Sequence, residues 1–282
     1  MRIMVTGGAG FVGTNLIKRL LTEGHEVTSI DNYSTGKREN AQDGCEYLDI
    51  DINDKGLDFK GWDVIFHIAA LARIQPSLKN PEACINANVT GTLNILNLAR
   101  AYNIPVIYAG SSSVHHGLYG SPYAWSKHAG EQLCKLFSNV YNLSTTICRF
   151  YNVYGPYQLE EGDYSTVLGI YERQYRNNEP LTITSDGEQR RDFTHVNDIV
   201  DGLYKCIGRD SKAEIFELGS GKNYSINEVA TLFKTETKYI PARKGEYPFT
   251  LCDYSHAHKE LGWKPKENLE IYIKQLLESY EK

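Results

Sequence analysis

Tyr123-Ala124-Trp125-Ser126-Lys127 sets a phenol and an ammonium four residues apart, which on a helix places one above the other on a single face. A phenol of ordinary pKa near 10 acts as a base near neutrality only if about 4 kcal/mol of interaction favours its anion, and a nearby ammonium is one source of it. Twenty tyrosines make a chance Tyr-x-x-x-Lys pair easy, so its place in the chain has to decide. The pair opens a stretch of helical period over 124–141, and Ser111-Ser112-Ser113 ends the apolar run before it. Hydroxyls and phenol then meet at one end of a strand, an arrangement suited to moving a proton on and off an alcohol.

Gly7-Gly8-Ala9-Gly10-Phe11-Val12-Gly13 lies between an apolar strand and an apolar helix. Glycines there let the backbone approach a pyrophosphate, and the helix N-terminus attracts its charge, so this turn reads as a dinucleotide site. Asp31 ends the second strand at the spacing where a carboxylate accepts hydrogen bonds from the adenosine ribose hydroxyls. A 2′-phosphate would be repelled by it, which favours NAD over NADP, although Lys37 and Arg38 follow closely.

The elements that must position these groups alternate regularly. Short β-branched runs at 2–5, 26–31, 63–68, 105–109 and 144–149 are separated by segments of helical period, which predicts an α/β, doubly wound parallel sheet of Rossmann type with its crevice at the carboxyl ends of the strands. After Gly155-Pro156 longer polar loops, at 158–164, 185–191 and 242–249, interrupt shorter elements. The division expected is a dinucleotide-binding domain over 1–153, with 193–207 crossing back to it, and a smaller substrate-binding lobe over 154–282.

Composition narrows the function further. The 282 residues carry a net charge of −5 without long runs of either sign, so nucleic acid is not an expected partner. No apolar stretch reaches the roughly 20 residues a bilayer requires, and the start runs straight into a glycine turn, so a cytoplasmic protein without membrane contact is expected. Six widely spaced cysteines without a C-x-x-C pair, and eight histidines without H-E-x-x-H spacing, predict reduced thiols and no metal site.

With Gly7 to Gly13, Asp31-Asn32, His67-Ile68-Ala69-Ala70, Ser111 to Val114 and Tyr123-x-x-x-Lys127 in place, the chain resembles the extended short-chain dehydrogenases/reductases, and more narrowly the nucleotide-sugar epimerases of the UDP-glucose 4-epimerase kind. The likeness continues through Arg149-Phe150-Tyr151-Asn152-Val153-Tyr154-Gly155-Pro156, Gly187-Glu188-Gln189-Arg190-Arg191-Asp192-Phe193, Arg243-Lys244-Gly245-Glu246 and Leu261-Gly262-Trp263. It implies an enzyme that holds NAD and inverts C4 of a UDP-hexose or UDP-N-acetylhexosamine through a transient 4-keto sugar. Tyr123 would be the base, Lys127 would support it and bond the nicotinamide ribose, and Ser111 would bridge the 4-hydroxyl to Tyr123. Gly7, Gly10, Phe11, Val12, Gly13, Asp31, Asn32, Asp51, Ile52, Ala69 and Ala70 would surround the cofactor, with Asp51-Ile52 flanking the adenine. Ser112, Ser113, Asn152, Arg191, Arg243 and Thr250 would face the substrate, the two arginines and Asn152 on its diphosphate.

Dehydratases and decarboxylases of this family need acidic groups after the catalytic hydroxyl, where this chain has Ser112 and Ser113. Epimerisation is therefore expected first, 4-keto-sugar reduction second, and a silent NAD sensor third. Val114-His115-His116-Gly117 replaces the family's Val-Tyr-Gly, and the segment from Gly117 to Tyr123 is short. Counting from Arg243, the bulky aromatic of hexose-restricted relatives falls on Thr250, which predicts room for an N-acetyl group. Relatives pair through the helices expected here at 81–102 and 124–141, so a homodimer is expected, with Ile95, Leu98, Leu133 and Phe137 as surplus apolar positions. His67 and His195 are read as structural, as are Asp198, Glu160 and Glu161.

Overall fold

A computed structural model describes residues 1–54, 57–58, 60–115 and 117–280. The expected alternation appears as β1 (Arg2–Thr6), α1 (Phe11–Thr22), β2 (Glu26–Asp31), β3 (Cys45–Asp49), β4 (Val64–His67), α2 (Ile74–Lys79), α3 (Pro81–Ile85), α4 (Gly91–Tyr102), β5 (Val106–Ser111), α5 (Pro122–Tyr141) and β6 (Thr145–Phe150). Asn86–Thr90, a wider π-helical turn, joins α3 to α4. Seven parallel strands form one sheet in the order Lys212–Leu218, β6, β5, β4, β1, β2, β3. The strand order reverses between β1 and β4, which opens a crevice at their carboxyl ends.

Two features of this sheet were not apparent from the pattern of residues. β3 reads Cys-Glu-Tyr-Leu-Asp and lies at the edge, half exposed, so it lacks a buried apolar run. The other edge is Lys212–Leu218, beyond the 193–207 segment expected to cross back. Val196, Ile199, Leu203, Phe216, Leu218, Ala257 and Trp263 share one core with Ile3, Val5 and Phe66, so the return of the chain to the first domain is longer than expected. A separate core of Tyr154, Leu168, Tyr171, Leu181, Phe193, Val229 and Phe233 holds the smaller lobe together around short two-stranded ladders.

On α4 and α5 the apolar surplus lies elsewhere than expected. Ile95, Leu98 and Phe137 are in the core, with Leu133 packed against it. The exposed apolar side chains of this region are Ile85, Leu93, Trp125, Leu136, Val140 and Tyr141. No helix among the described residues is long and apolar enough to cross a membrane.

Candidate active site

A cleft of about 1370 Å³ runs from the β1–α1 turn into the smaller lobe. It exceeds the roughly 300–1,000 Å³ of a single small-molecule pocket, so it has room for two ligands end to end. Its wall includes Gly7, Gly10, Phe11, Val12, Gly13, Asp31, Asn32, Asp51, Ile52, Ala69, Ala70, Ser111, Ser112, Tyr123, Asn152, Arg191 and Arg243. Three expected site residues are absent from it: Lys127, Ser113 and Thr250.

At the first end, the turn has no space for side chains. A Cβ on Gly13 would stand 2.1 Å from the Gly7 carbonyl oxygen, and one on Gly7, whose φ is +74°, would stand 2.8 Å from the Ala69 backbone. α1 starts at Gly10 with no side-chain cap and no acidic residue in its first turn, leaving N–H groups and the positive end of the helix for an anion. Asp31 Oδ2 accepts from Ala9 N at 2.9 Å and Oδ1 from Tyr33 N at 2.8 Å, which holds the carboxylate at the end of β2. Burial pushes its pKa up, against the pull of those two hydrogen bonds. Asn32 donates to Asp51 at 2.8 Å, joining the ends of β2 and β3. Arg38 is paired with Asp49 and lies over the Tyr33 ring at 3.9 Å, and Lys37 is paired with Glu39, so neither is a spare cation for a 2′-phosphate. These groups fit an adenosine diphosphate with an unmodified ribose.

In the middle of the cleft, Ser121 caps α5 by accepting from Ala124 N, and Pro122 occupies the first turn, so Tyr123 enters the helix at its mouth. Tyr123 Oη donates to Ser111 Oγ at 3.2 Å, and Ser113 N donates to the same oxygen at 3.2 Å. The hydroxyl proton of Ser111 is thereby left to point at a third group. Ser113 contributes its backbone, and its buried side chain is not part of the cleft wall, in contrast to the substrate contact expected of it.

Burial pushes the Tyr123 phenol up, and the Ser111 hydrogen bond and the Arg73 charge pull it down. The Arg73 charge thus acts on this phenol, a contribution beyond the Lys127 and oxidised nicotinamide that the sequence pointed to. Lys127 is buried behind the cleft with Nζ 4.4 Å from the Tyr108 ring, and burial lowers its pKa to about 8. Arg73 escaped the sequence reading although a signal was present: it is the single charge in the apolar stretch from Ile68 to Ile74 that follows β4.

At the far end, Arg191 and Arg243 line the cleft without a carboxylate within ion-pair distance among the described residues. Arg191 lies 5.3 Å from the centre of the Tyr247 ring. Asn152 has a different role from the one expected. Its Nδ2 donates to the Asp192 carbonyl and to Thr250 Oγ1, both at 3.0 Å, so its amide hydrogens are committed within the protein.

Thr250 is 1% exposed, and its hydroxyl also accepts from Asp192 N at 2.9 Å. This network draws Thr250 inward and leaves Tyr247 on the cleft wall, so the expectation of space made by a small residue at 250 is not met. His67 bonds Thr6 and Thr92, and burial lowers its pKa to about 3, which keeps it neutral. His195 caps the following helix, and Asp198 accepts from Lys266 N and Glu267 N. His115 bonds Glu217 at 2.8 Å, whereas His116 lies outside the described residues.

Known proteins share this architecture. The model of the NAD dependent epimerase/dehydratase family matches residues 3–219. A UDP-glucose 4-epimerase of Mycolicibacterium smegmatis is 31% identical, with 99% of this chain and 98% of that one covered. The crystal structure of a UDP-glucose 4-epimerase with UDP-glucose from Thermotoga maritima superposes with a TM-score of 0.93 at 29% identity, covering 100% of this chain and 99% of the other. A Thermus thermophilus UDP-glucose 4-epimerase in complex with NAD gives 0.89 at 27% identity, covering 100% and 99%. With a glycine turn, a carboxylate at the end of β2 and a serine–tyrosine pair in one cleft, the chain belongs to the NAD dependent epimerase/dehydratase family.

Proposed function

We propose that the chain is an NAD-dependent 4-epimerase of nucleotide-diphosphate sugars, UDP-linked, which inverts C4 of a hexose or N-acetylhexosamine through a transient 4-keto sugar. The observation that carries this reading is the Tyr123–Ser111 hydrogen bond in the middle of a cleft with a dinucleotide turn at one end and arginines at the other. Gly7, Gly10, Phe11, Val12 and Gly13 hold the cofactor's pyrophosphate, Asp31 and Asn32 its adenosine ribose, and Asp51 and Ile52 its adenine. Ala69 and Ala70 line the path to the nicotinamide, whose ribose Tyr123 approaches, with Lys127 one turn along α5 behind it. When bound, the oxidised nicotinamide supplies a hydride acceptor and a positive charge.

The sugar's 4-hydroxyl gives its proton to Ser111 Oγ as Ser111 passes its own to the Tyr123 anion, which the Arg73 charge favours. The same pair returns the proton once the ring has turned its other face. Ser112 lines this part of the cleft, and neither it nor Ser113 can drive elimination. Arg191 and Arg243 hold the diphosphate and keep the keto sugar from leaving. Thr250 gives no preference for an N-acetylated sugar.

The exposed apolar side chains Ile85, Leu93, Trp125, Leu136 and Val140 favour a homodimer through α3, α4 and α5. Six free cysteines fit a reducing, cytoplasmic setting. The reaction is tested by incubating the purified protein with UDP-glucose without added cofactor while following product and absorbance at 340 nm. An epimerase gives product with no stoichiometric change in absorbance. Turnover only with added NADH, or none at all, overturns the reading. In Tyr123→Phe the rate falls by about 10²–10⁴ while NAD is retained.

A further inference from the structure

Arg73 lines the cleft with Tyr123 and has no carboxylate within ion-pair distance among the described residues. It immediately precedes α2, and α2 is tied to the start of α5 by a 3.2 Å hydrogen bond from Tyr123 N to Ser77 Oγ, so Arg73 and Tyr123 belong to one wall. Arg73 Nε donates to the Ser165 carbonyl at 3.2 Å and Nη1 to the Ala72 carbonyl at 2.9 Å. Both acceptors are neutral, and the remaining guanidinium hydrogens have no protein acceptor among the described residues. Buried arginines elsewhere in the fold are compensated: Arg149, for example, is held by Glu131 and Glu217.

The cleft also carries carboxylates, Asp31 and Asp51 at the cofactor end and Glu160, Glu161, Asp163 and Glu246 elsewhere, and among the described residues none of them forms an ion pair with Arg73. Glu160 is paired with Arg176 and Asp163 with Lys79, while Glu246 acts on Arg191. The charge of Arg73 falls on Tyr123 and Tyr247, whereas that of Arg191 falls on Tyr247 and Glu246. Arg73 lines the cleft at the start of α2, the helix hydrogen-bonded to Tyr123 N, whereas Arg191 lies 5.3 Å from the Tyr247 ring. A nucleoside diphosphate brings about two negative charges, which Arg191 and Arg243 can meet. A third unpaired cation in a desolvated cleft calls for a third anion, next to the carbon on which Ser111 and Tyr123 act.

We propose that Arg73 selects a nucleotide-linked hexuronate, gripping the carboxylate on the carbon beside C4 through its free guanidinium hydrogens. This rests on the 4-epimerase reading and names the substrate class of that same site. A guanidinium presents two parallel N–H groups to a carboxylate, whereas a neutral hydroxymethyl group at that place leaves the charge unanswered. The uronate thus answers the charge that remains open once Arg191 and Arg243 have met the diphosphate.

The test compares UDP-glucuronate with UDP-glucose in the protein as purified and in Arg73→Gln and Arg73→Lys, by initial rates and by titration calorimetry. The expected wild-type preference in kcat/KM is about tenfold or more for the uronate, collapsing in Arg73→Gln and restored in part by Arg73→Lys, which keeps the charge without the fork. Calorimetry shows the same order in Kd. A wild-type preference for UDP-glucose, or an equal loss for both sugars in Arg73→Gln, overturns the role of Arg73 and leaves the epimerase reading standing. Preferential binding of the uronate that depends on Arg73 but leads to no turnover upholds this role and overturns the epimerase reading.

Discussion

Replacing Lys127 by methionine keeps the length of the side chain and its contact with the Tyr108 ring while removing a charge from the interior. Burial lowers the pKa of this ammonium from 10.5 to about 8. Holding it protonated in the folded chain therefore costs about 3 kcal/mol below pH 8. Between pH 8 and 10.5 the unfolded state binds more protons than the folded one, so wild-type stability rises with pH there and the penalty fades. Lys127→Met should accordingly melt about 5 °C above wild type at pH 7, with the advantage falling to about 1 kcal/mol at pH 10. The assay is thermal denaturation of nucleotide-stripped protein at the two pH values, with turnover measured alongside. Activity should be lost as stability is gained, the trade expected of a charge kept for function. A variant that melts at or below wild type at pH 7, or whose advantage is the same at pH 10, would refute the reasoning.

Asp31→Asn removes the charge from the carboxylate held by Ala9 N and Tyr33 N, and losing a charged hydrogen bond to the ribose costs roughly 1–3 kcal/mol, so NAD should bind about 5- to 150-fold more weakly by fluorescence titration. An unchanged Kd would count against the ribose assignment. Thr250→Tyr forces a ring into a filled, hydrogen-bonded site and should lower stability by about 1–3 kcal/mol, while the ratio of activity on UDP-N-acetylglucosamine to that on UDP-glucose stays unchanged. A selective loss of the N-acetylated reaction would restore Thr250 to the pocket. Leu136→Glu combined with Val140→Glu should turn the dimer into a monomer by light scattering, since both side chains are about half exposed on α5. A dimer that persists would place the interface elsewhere.

The parts legible from sequence were those in which local pattern and function coincide. The glycine turn needs its spacing to exist at all, and Tyr123 with Lys127 is marked by its place after Ser111 at the start of a helical stretch, although the helix begins at Pro122, two residues before the expected 124. What escaped depended on contacts between distant segments. Lys212–Leu218 alternates as a strand should, but only its pairing with β6 assigns it to the first domain. Thr250 looked like pocket lining by its count from Arg243, yet Asn152 and Asp192, remote in sequence, draw it inward. Arg73 carries no local signature beyond its charge, and its importance follows from what the fold leaves unpaired around it.

The central claim is that one bound cofactor takes hydrogen from C4 and gives it back to the same sugar. UDP-glucose deuterated at C4, incubated with the protein in ordinary water without added NAD or NADH and followed by NMR, tests it directly. Both C4 epimers should appear with deuterium retained at C4. Label lost to water would contradict the account, as would a conversion that halts until NADH is supplied.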